Sequence, residues 1–556
     1  MKSNIKLLML TGALMGMSAC TNLDTDIKSQ YTTYPDHEAA LFAKFDACYY
    51  YLRNEAGLGR NFWEGVMMQG DEMMGVCYTA SNYFDNGRVV RPSLHDLTLD
   101  IPGVGLMDNM MQGVTYCNTV ISELGGEDGK NAVVAPIRAI RAFYTYMMID
   151  LYGDAPLLDK TPAAGTVIER KSRPEVAKWI ESELKEVIPQ LTTDNDLTTY
   201  GRPNKWMAEA LLVKLYLNWG VYMQEDVKNV TVDSPNERLD DCIAWCDSLI
   251  DSQEFSVGQG YRKKFFPNNT TLALNGEIKD FIYVMPFDPN TLGQSYSGGH
   301  TLDRFMNFKK ANKTTPGPWG FQPAKSTAGI YVLTNECAAR FNLAGDERNE
   351  MILKGPQYAM DYTWDYAVTE TPLMLNGTQV EYTPITESSF EDKDILSVGA
   401  DGVENCQKGY RLAKYVSDPS DYSVYGRYQS NDIPIFRYAD ILLTKAECLV
   451  RKGESNATAA ALINEVRDCS GAEHFTGTVT LQDILDERGR EFICEMWRRQ
   501  DLIRCGQFEN DWGLKNIVNK SAKTDKWRRL MPIPRGVLET NTNWKQNEGY
   551  SGIGTN

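Results

Sequence analysis

Three glutamates, Glu487, Glu491 and Glu495, stand four residues apart in the stretch DERGREFICEMWRRQDLIR. On a helix that spacing puts them on one face. Paired carboxylates are the equipment of glycoside hydrolysis, where one of them is a general acid with a raised pKa. Here Arg488, Arg490, Arg498, Arg499 and Arg504 are interleaved with them, together with Asp501. Close cations hold carboxylates ionised, the reverse of what a general acid needs. The pattern therefore predicts an ion-pair network that braces helices, and Arg437 with Asp440 in RYAD predicts the same. Other reactive types are dispersed. His37, His95, His300 and His474 share no metal-ligand spacing, and no nucleophile-elbow, phosphate-loop or dinucleotide fingerprint is present. The acidic run DERNE after Gly345 lacks the alternation that calcium loops use. No catalytic residue, cofactor or metal ligand is assigned, and a structural calcium is left open.

Residues suited to binding lie in two loop regions. A sugar site needs flat aromatic faces against C–H groups and Asp, Asn, Gln or Arg for hydroxyls. The first region, Gln69 to Arg91, carries Asp71, Tyr78, Asn82, Tyr83 and Arg88 amid Gly and Ser. The second carries Tyr296, Trp319 and Trp364, with His300, Asp303 and Tyr366 nearby. Trp319 sits in PGPWG, between turn-formers, which argues against a place on a core helix. These eight, Asp71, Tyr78, Asn82, Tyr83, Arg88, Tyr296, Trp319 and Trp364, are the candidate ligand contacts. The competing fate for each aromatic is burial under its own hairpin.

The elements that must position them are mostly helical. Apolar periodicity predicts helices over Glu38–Arg53, Asp108–Leu124 (stopped by Gly125 and Gly126), Val133–Tyr152 (stopped by Gly153), Pro174 towards Pro189, Lys205–Tyr222 behind Asn204, and Asp240–Asp251. From about 255 to 430 Gly, Pro, Asn and Thr crowd the chain and the periodicity fails, apart from Asn335–Asn342 and a strand-like run at Phe281–Phe287. Helices return at Tyr438–Arg451, Asn456–Cys469 and Leu481–Arg504. The chain thus reads as mainly α. Tetratricopeptide-like helix pairs over about 38–252 and 436–505 flank a loop- and hairpin-rich insertion.

Residues 1–19 read as a signal peptide. Lys2 and Lys6 precede a short apolar run from Leu7 to Met17, and Ser18 and Ala19 lead to Cys20. A cysteine behind small residues is the lipoprotein pattern, although Met17 stands where Leu is usual, so Cys20 is the expected lipidation site and 20–556 the mature body. After it, no apolar run reaches the roughly 18 residues of a membrane span. The formal net charge of −17 repels phosphate backbones and argues against nucleic acid as a partner. The twelve cysteines lack metal or redox spacing; Cys242 and Cys246 share a helix face, and the scattered set reads as small buried hydrophobes.

Five segments, in order, resemble the SusD/RagB family of nutrient-binding outer-membrane lipoproteins. They are IRAIRAFYTYMMIDLYGDAPL (Ile137–Leu157), GRPNKWMAEALLVKLYLNWG (Gly201–Gly220), DIPIFRYADILLTKAECLVRKG (Asp432–Gly453), INEVRD through to ILDERGREFICEMWRRQDLIRCGQF (within Leu462–Phe508), and LMPIPRGVLETNTNWKQNEGY (Leu530–Tyr550). Cys448, the Asp468–Cys469–Ser470 stretch, Cys505 and Glu548 depart from the family pattern at what read as packing positions. The resemblance implies a helix-pair scaffold with a loop-rich ligand face and no catalysis. It implies a lipid-anchored cell-surface protein that binds oligosaccharide and passes it to a SusC-like TonB-dependent transporter. Peptide is the alternative ligand; a glycoside hydrolase and a protein-binding scaffold are the rival classes.

Overall fold

A computed structural model describes residues 44–54, 56–75, 77–79, 82–83, 87–127, 134–287, 331–360, 368–375, 377–385, 408–415 and 430–551. The chain divides into two units between Asp46 and Ala47, and the helices and strands of the scaffold belong to the second. Cys20 and most of the expected helix Glu38–Arg53 lie outside the described residues.

The first long helices are α1 (Leu106–Glu123), α2 (Val134–Tyr152), α3 (Arg173–Val187), α4 (Lys205–Leu217) and α5 (Leu239–Asp251). Consecutive members of this series pack on one another. Helix α2 is buried on every side, with only Pro136 and Asp150 partly open, so it takes neighbours all round. Local chemistry sets the starts: Ser172 caps α3 through Glu175 N, and Asn204 caps α4 through Met207 N at 3.0 Å. Apolar periodicity alone would carry α4 on to Tyr222. Instead Asn218 interrupts it, donating to Lys214 O and accepting from Arg504, and a separate turn, Trp219–Tyr222, comes next. An Asn that bonds locally competes with the helix ladder.

After the insertion come α6 (Tyr438–Lys452), α7 (Asn456–Ser470), α8 (Leu481–Glu491) and α9 (Arg498–Arg504). Helix α6 packs on α5 as well as on α7 and α8, which joins the two helical segments across the insertion. Helices α6 and α7 each end at a glycine with φ of +68°, Gly453 and Gly471. The chain is mainly α, as the sequence implied.

The described strands are short and pair two by two. Ten of them carry the argument: β1 (Met73–Gly75), β2 (Cys77–Thr79), β3 (Asn82–Tyr83), β4 (Phe281–Met285), β5 (Tyr331–Leu333), β6 (Ile352–Leu353), β7 (Tyr358–Met360), β8 (Val368–Pro372), β9 (Arg411–Leu412) and β10 (Ile433–Arg437). Strand β4 pairs with β10, which runs directly into α6; β2 pairs with β3, β6 with β9 and β7 with β8. The insertion has its own small core of Val332, Leu353, Leu373, Val380, Tyr382 and Ala413, closed by Met74 and Leu514.

The C-terminal NEGY explains one sequence signal. Gly549 has φ +82°, and a Cβ there would overlap the Trp527 ring. Tyr550 then packs edge-on against Trp527 at 4.7 Å and donates to Leu530 O at 2.8 Å. Gly549→Ala is expected to cost about 1–3 kcal/mol of stability through left-handed strain and overlap; an unchanged urea midpoint would contradict this packing. The departure Glu548 is exposed and pairs with Lys228 at 2.6 Å.

Candidate functional site

The carboxylate cluster is structural. Glu487 is buried and takes Arg348 (2.8 Å), Arg467 (2.8 Å) and Arg490 (3.0 Å). Glu491 takes Arg348 (2.9 Å) and Arg437 (2.6 Å), and Glu495 takes Lys414 (2.6 Å) and Arg437 (2.9 Å). Asp440 lies between Lys214 and Arg488, and Asp501 between Arg488 and Arg504. The predicted network is therefore present, but not on one continuous helix. The chain leaves α8 after Glu491, and Cys494 has φ +55°. The carbonyls so freed are collected by cations: Arg437 donates to Glu491 O (2.9 Å) and Lys414 to Ile493 O (2.7 Å). Glu495 thus reaches Arg437 from beyond the break rather than from the face that the spacing predicts.

Burial alone would raise the Glu487 pKa, but Arg348, Arg490 and Arg467 outweigh it and hold it down at about 2. Asp71, Asp440 and Glu447 are likewise held below the usual carboxylate range by arginine or lysine against the pull of burial. Carboxylates lowered on folding stabilise the fold above their unfolded pKa and lose that contribution as pH falls through the folded value. The melting temperature is accordingly expected to fall below pH ~4.5, most steeply towards pH ~2. A flat profile down to pH ~3 would contradict this.

The arrangement suited to ligand lies elsewhere, where the two candidate loop regions leave the scaffold. Strand β1 leads into the β2–β3 hairpin, and β5 closes the stretch that begins after Phe287. These two strands are antiparallel partners, with Gly75 opposite Tyr331 and Met73 opposite Leu333. The chain ends of both regions therefore emerge side by side. Beneath them Glu64, on the short helix Asn61–Gly65, is buried. Its carboxylate takes Arg88, at the far end of the hairpin region, Arg60 at 2.9 Å, and the Tyr331 hydroxyl at 3.0 Å. Arg88 also donates to Asn61 Oδ1 at 2.6 Å. One carboxylate thus ties both loop roots to the scaffold.

The approach to β1 is equally fixed. Thr334 donates through N to Glu72 O (3.1 Å) and through Oγ1 to Asp71 O (2.5 Å). The Asp71 carboxylate takes Arg498 (2.6 Å) and Arg340 (2.6 Å). Beside it Glu72 is fully buried and accepts from Cys494 N at 3.2 Å. Burial pushes its pKa up to about 8, against Arg498 and with the help of Asp71. A carboxyl raised on folding favours the fold below its unfolded pKa and weighs against it as pH rises to the folded value. Glu72→Gln is therefore expected to match the parent chain near pH 4.5 and to exceed it by about 1–3 kcal/mol at pH 8. Equal unfolding free energies at pH 8 would contradict it.

The sequence candidates fall into three groups. Asp71 and Arg88 are buried and paired, Asp71 with Arg498 and Arg340 and Arg88 with Glu64, as burial obliges a charge to be. Tyr78, Asn82 and Tyr83 lie on the β2–β3 hairpin, where Cys77 faces Tyr83 and Thr79 faces Asn82. Tyr296, Trp319 and Trp364 lie outside the described residues, with Trp364 in the span joining β7 to β8. Sequence reasoning misses Glu64 and Tyr331. A signal for Glu64 exists: it is a lone carboxylate in the apolar run Phe62–Met68, where an unpaired charge is costly.

The remaining singled-out groups have structural partners. In the acidic run, Asp346 and Glu350 pair with Arg348 (2.8 Å) and Arg262 (2.8 Å), and Glu347 accepts from Tyr261 N. His95 is buried, stacked on Phe508 and bonded to Gln69 O. Nine of the described cysteines, Cys242 and Cys246 among them, are free thiols and buried. Among the described residues no three His, Cys, Asp or Glu side chains group as metal ligands, and no helix is long and apolar enough to cross a membrane.

Comparison with known proteins gives the sequence and the fold their relatives. The SusD family model matches residues 291–550. The starch-binding protein SusD of Bacteroides thetaiotaomicron is 24% identical over 440 residues, covering 75% of this chain and 72% of that protein. SusD-like protein P2 of Formosa agariphila is 24% identical over 458 residues, covering 78% of each. Among solved structures, surface glycan-binding protein A from Bacteroides uniformis superposes with a TM-score of 0.67 at 17% identity, over 92% of this chain and 99% of that one. Surface glycan-binding protein A from Bacteroides thetaiotaomicron, in complex with laminarihexaose, gives 0.65 at 19% identity, over 92% and 99%.

Proposed function

We propose that this chain, which matches the SusD family model over residues 291–550, is a cell-surface lipoprotein that binds oligosaccharide and delivers it to a SusC-like TonB-dependent transporter, without catalysis. The observation that most supports this reading is the convergence of both loop roots on Glu64, with β1 and β5 in register. Loops rooted on a rigid scaffold suit a preformed binding face. In this reading the hairpin residues Tyr78, Asn82 and Tyr83, with Tyr296, Trp319 and Trp364 from the insertion, contact the glycan. Aromatic rings cover sugar C–H faces, and Asn82 meets hydroxyls. The relatives' names point to starch and laminarin as ligands to try first.

Affinity electrophoresis of the chain from residue 21 onward through gels loaded with starch, laminarin and other polysaccharides tests the proposal. Retardation by one glycan class, with no product released, is expected. No retardation by any, with binding to a casein-derived peptide pool instead, would transfer the reading to peptide. The anchor is tested separately: Cys20→Ala is expected to move the protein from the detergent phase to the aqueous phase of a Triton X-114 partition. Unchanged partitioning would remove Cys20 as the lipid site.

A further inference from the structure

A cavity of about 250 Å³ lies away from the β1–β5 roots and is built entirely from other elements. It opens between the loop that precedes α4, the turn after α5, and the segment entering β4. Its floor is apolar: Ile278, Phe281 and Val284 form a buried cluster, against which Tyr200 and Ala273 pack. Its rim is polar, with Asn195, Glu254 and Lys279 exposed and without side-chain partners among the described residues.

The walls are preformed. The Tyr200 hydroxyl donates to Asp432 Oδ2 at 2.5 Å, the oxygen that also accepts from Thr270 (2.6 Å), while Asp432 Oδ1 accepts from Phe287 N (2.8 Å). The aromatic ring is therefore held in place before any ligand arrives, which cuts the ordering cost of binding. Ser256 N donates to Lys279 O at 3.1 Å, which fastens the Glu254 turn to the opposite rim. The residue before Glu254, Gln253, has φ +58°, a left-handed conformation unusual for a side chain of its kind. Strained backbone of this sort clusters where the chain must aim a group.

We propose that this cavity is a second binding pocket, for a single neutral sugar ring. Its volume falls just below the ~300 Å³ at which drug-sized sites begin, so the ligand is one ring rather than a chain. The apolar floor and the Tyr200 wall suit a C–H face. The rim mixes an amide, a carboxylate and an ammonium, so it can both donate to and accept from a ring of hydroxyls. Asp196 adds a second carboxylate against the one lysine, which disfavours sulfated or carboxylated sugars.

The pocket does not depend on the glycan reading of the loop face, and the test separates the two. Saturation-transfer NMR on the chain from residue 21 onward would use the methyl glycosides of glucose, galactose and mannose as probes. Transfer to at least one probe is expected. It should weaken at least fivefold in Asn195→Ala and Glu254→Ala, vanish in Ala273→Phe, and persist in Trp319→Ala. The rim residues are exposed, so their variants decide the matter even if Ala273→Phe fails to fold by circular dichroism. No transfer to any probe, transfer unchanged in both rim variants, or transfer lost in Trp319→Ala would overturn the proposal.

Discussion

Replacing Arg437 with methionine is expected to lower the unfolding free energy by about 3–5 kcal/mol, enough to threaten folding at 37 °C. Arg437 ends β10, is 1% exposed, and pairs with Asp280, Glu491 and Glu495. Its side chain also stacks over Phe492 at 4.7 Å. Methionine fills much of the volume but leaves three carboxylates short of a cation in a site where water cannot replace it. Arg437→Lys keeps the charge and loses the planar fork, so it should fall between the two. The surface pair Arg535–Asp100, with side chains 43% and 58% exposed, is the control: Arg535→Ala should leave the urea midpoint unmoved, because exposed pairs are screened. Tryptophan fluorescence against urea measures all three. A loss below about 1 kcal/mol for Arg437→Met would mean that the network is not what joins β10 to the chain after α8.

Glu64→Leu carries the second large effect, and it reaches function. Leucine fits the buried site, but it removes a carboxylate that pairs with Arg88 and Arg60 and accepts from Tyr331. A loss of about 2–4 kcal/mol in stability is expected. Under the proposed reading both loop roots also lose their common tie, so glycan affinity should fall more than tenfold in protein that remains folded. Tyr331→Phe removes the hydroxyl's bond to Glu64 but leaves the carboxylate in place, and should cost only about 1 kcal/mol. If Glu64→Leu binds glycan as tightly as the parent, the loop roots do not position the ligand face.

Much of the helical scaffold is legible in the chain because its signals are local. Asn204, Pro174, Gly153 and Gly125 mark ends that caps and positive φ angles enforce. The two misread helices fail for a non-local reason. Asn218 breaks α4 while held by Arg504 and Gln500, and the chain leaves α8 where Arg437 and Lys414 take its carbonyls. Apolar periodicity carries no trace of a cation supplied from elsewhere in the sequence.

The candidate site is less legible for the same reason. Asp71 sits among Gly and Met in a loop-like stretch, yet its partner Arg498 is 427 residues away. Nothing near Asp71 distinguishes a carboxylate reserved for an arginine from one offered to a ligand. The pairing of Arg88 is hidden likewise, since Glu64 meets it only once the chain folds back from the hairpin. The resemblance locates the family correctly but transfers no ligand residue, because its motif segments lie on the helices, the charged network and the C-terminal turn.

Capture without chemistry, at the face rooted on β1 and β5, is tested most directly by isothermal titration. The chain from residue 21 onward would be titrated with oligosaccharides of whichever glycan retards it, with Trp319→Ala run beside the parent. Saturable binding by the parent, at least tenfold weaker binding by Trp319→Ala, and intact oligosaccharide recovered from both cells is the predicted result. Equal affinity in the two proteins would remove Trp319 from the face, and shortened oligosaccharide in the parent's cell would contradict capture without chemistry altogether.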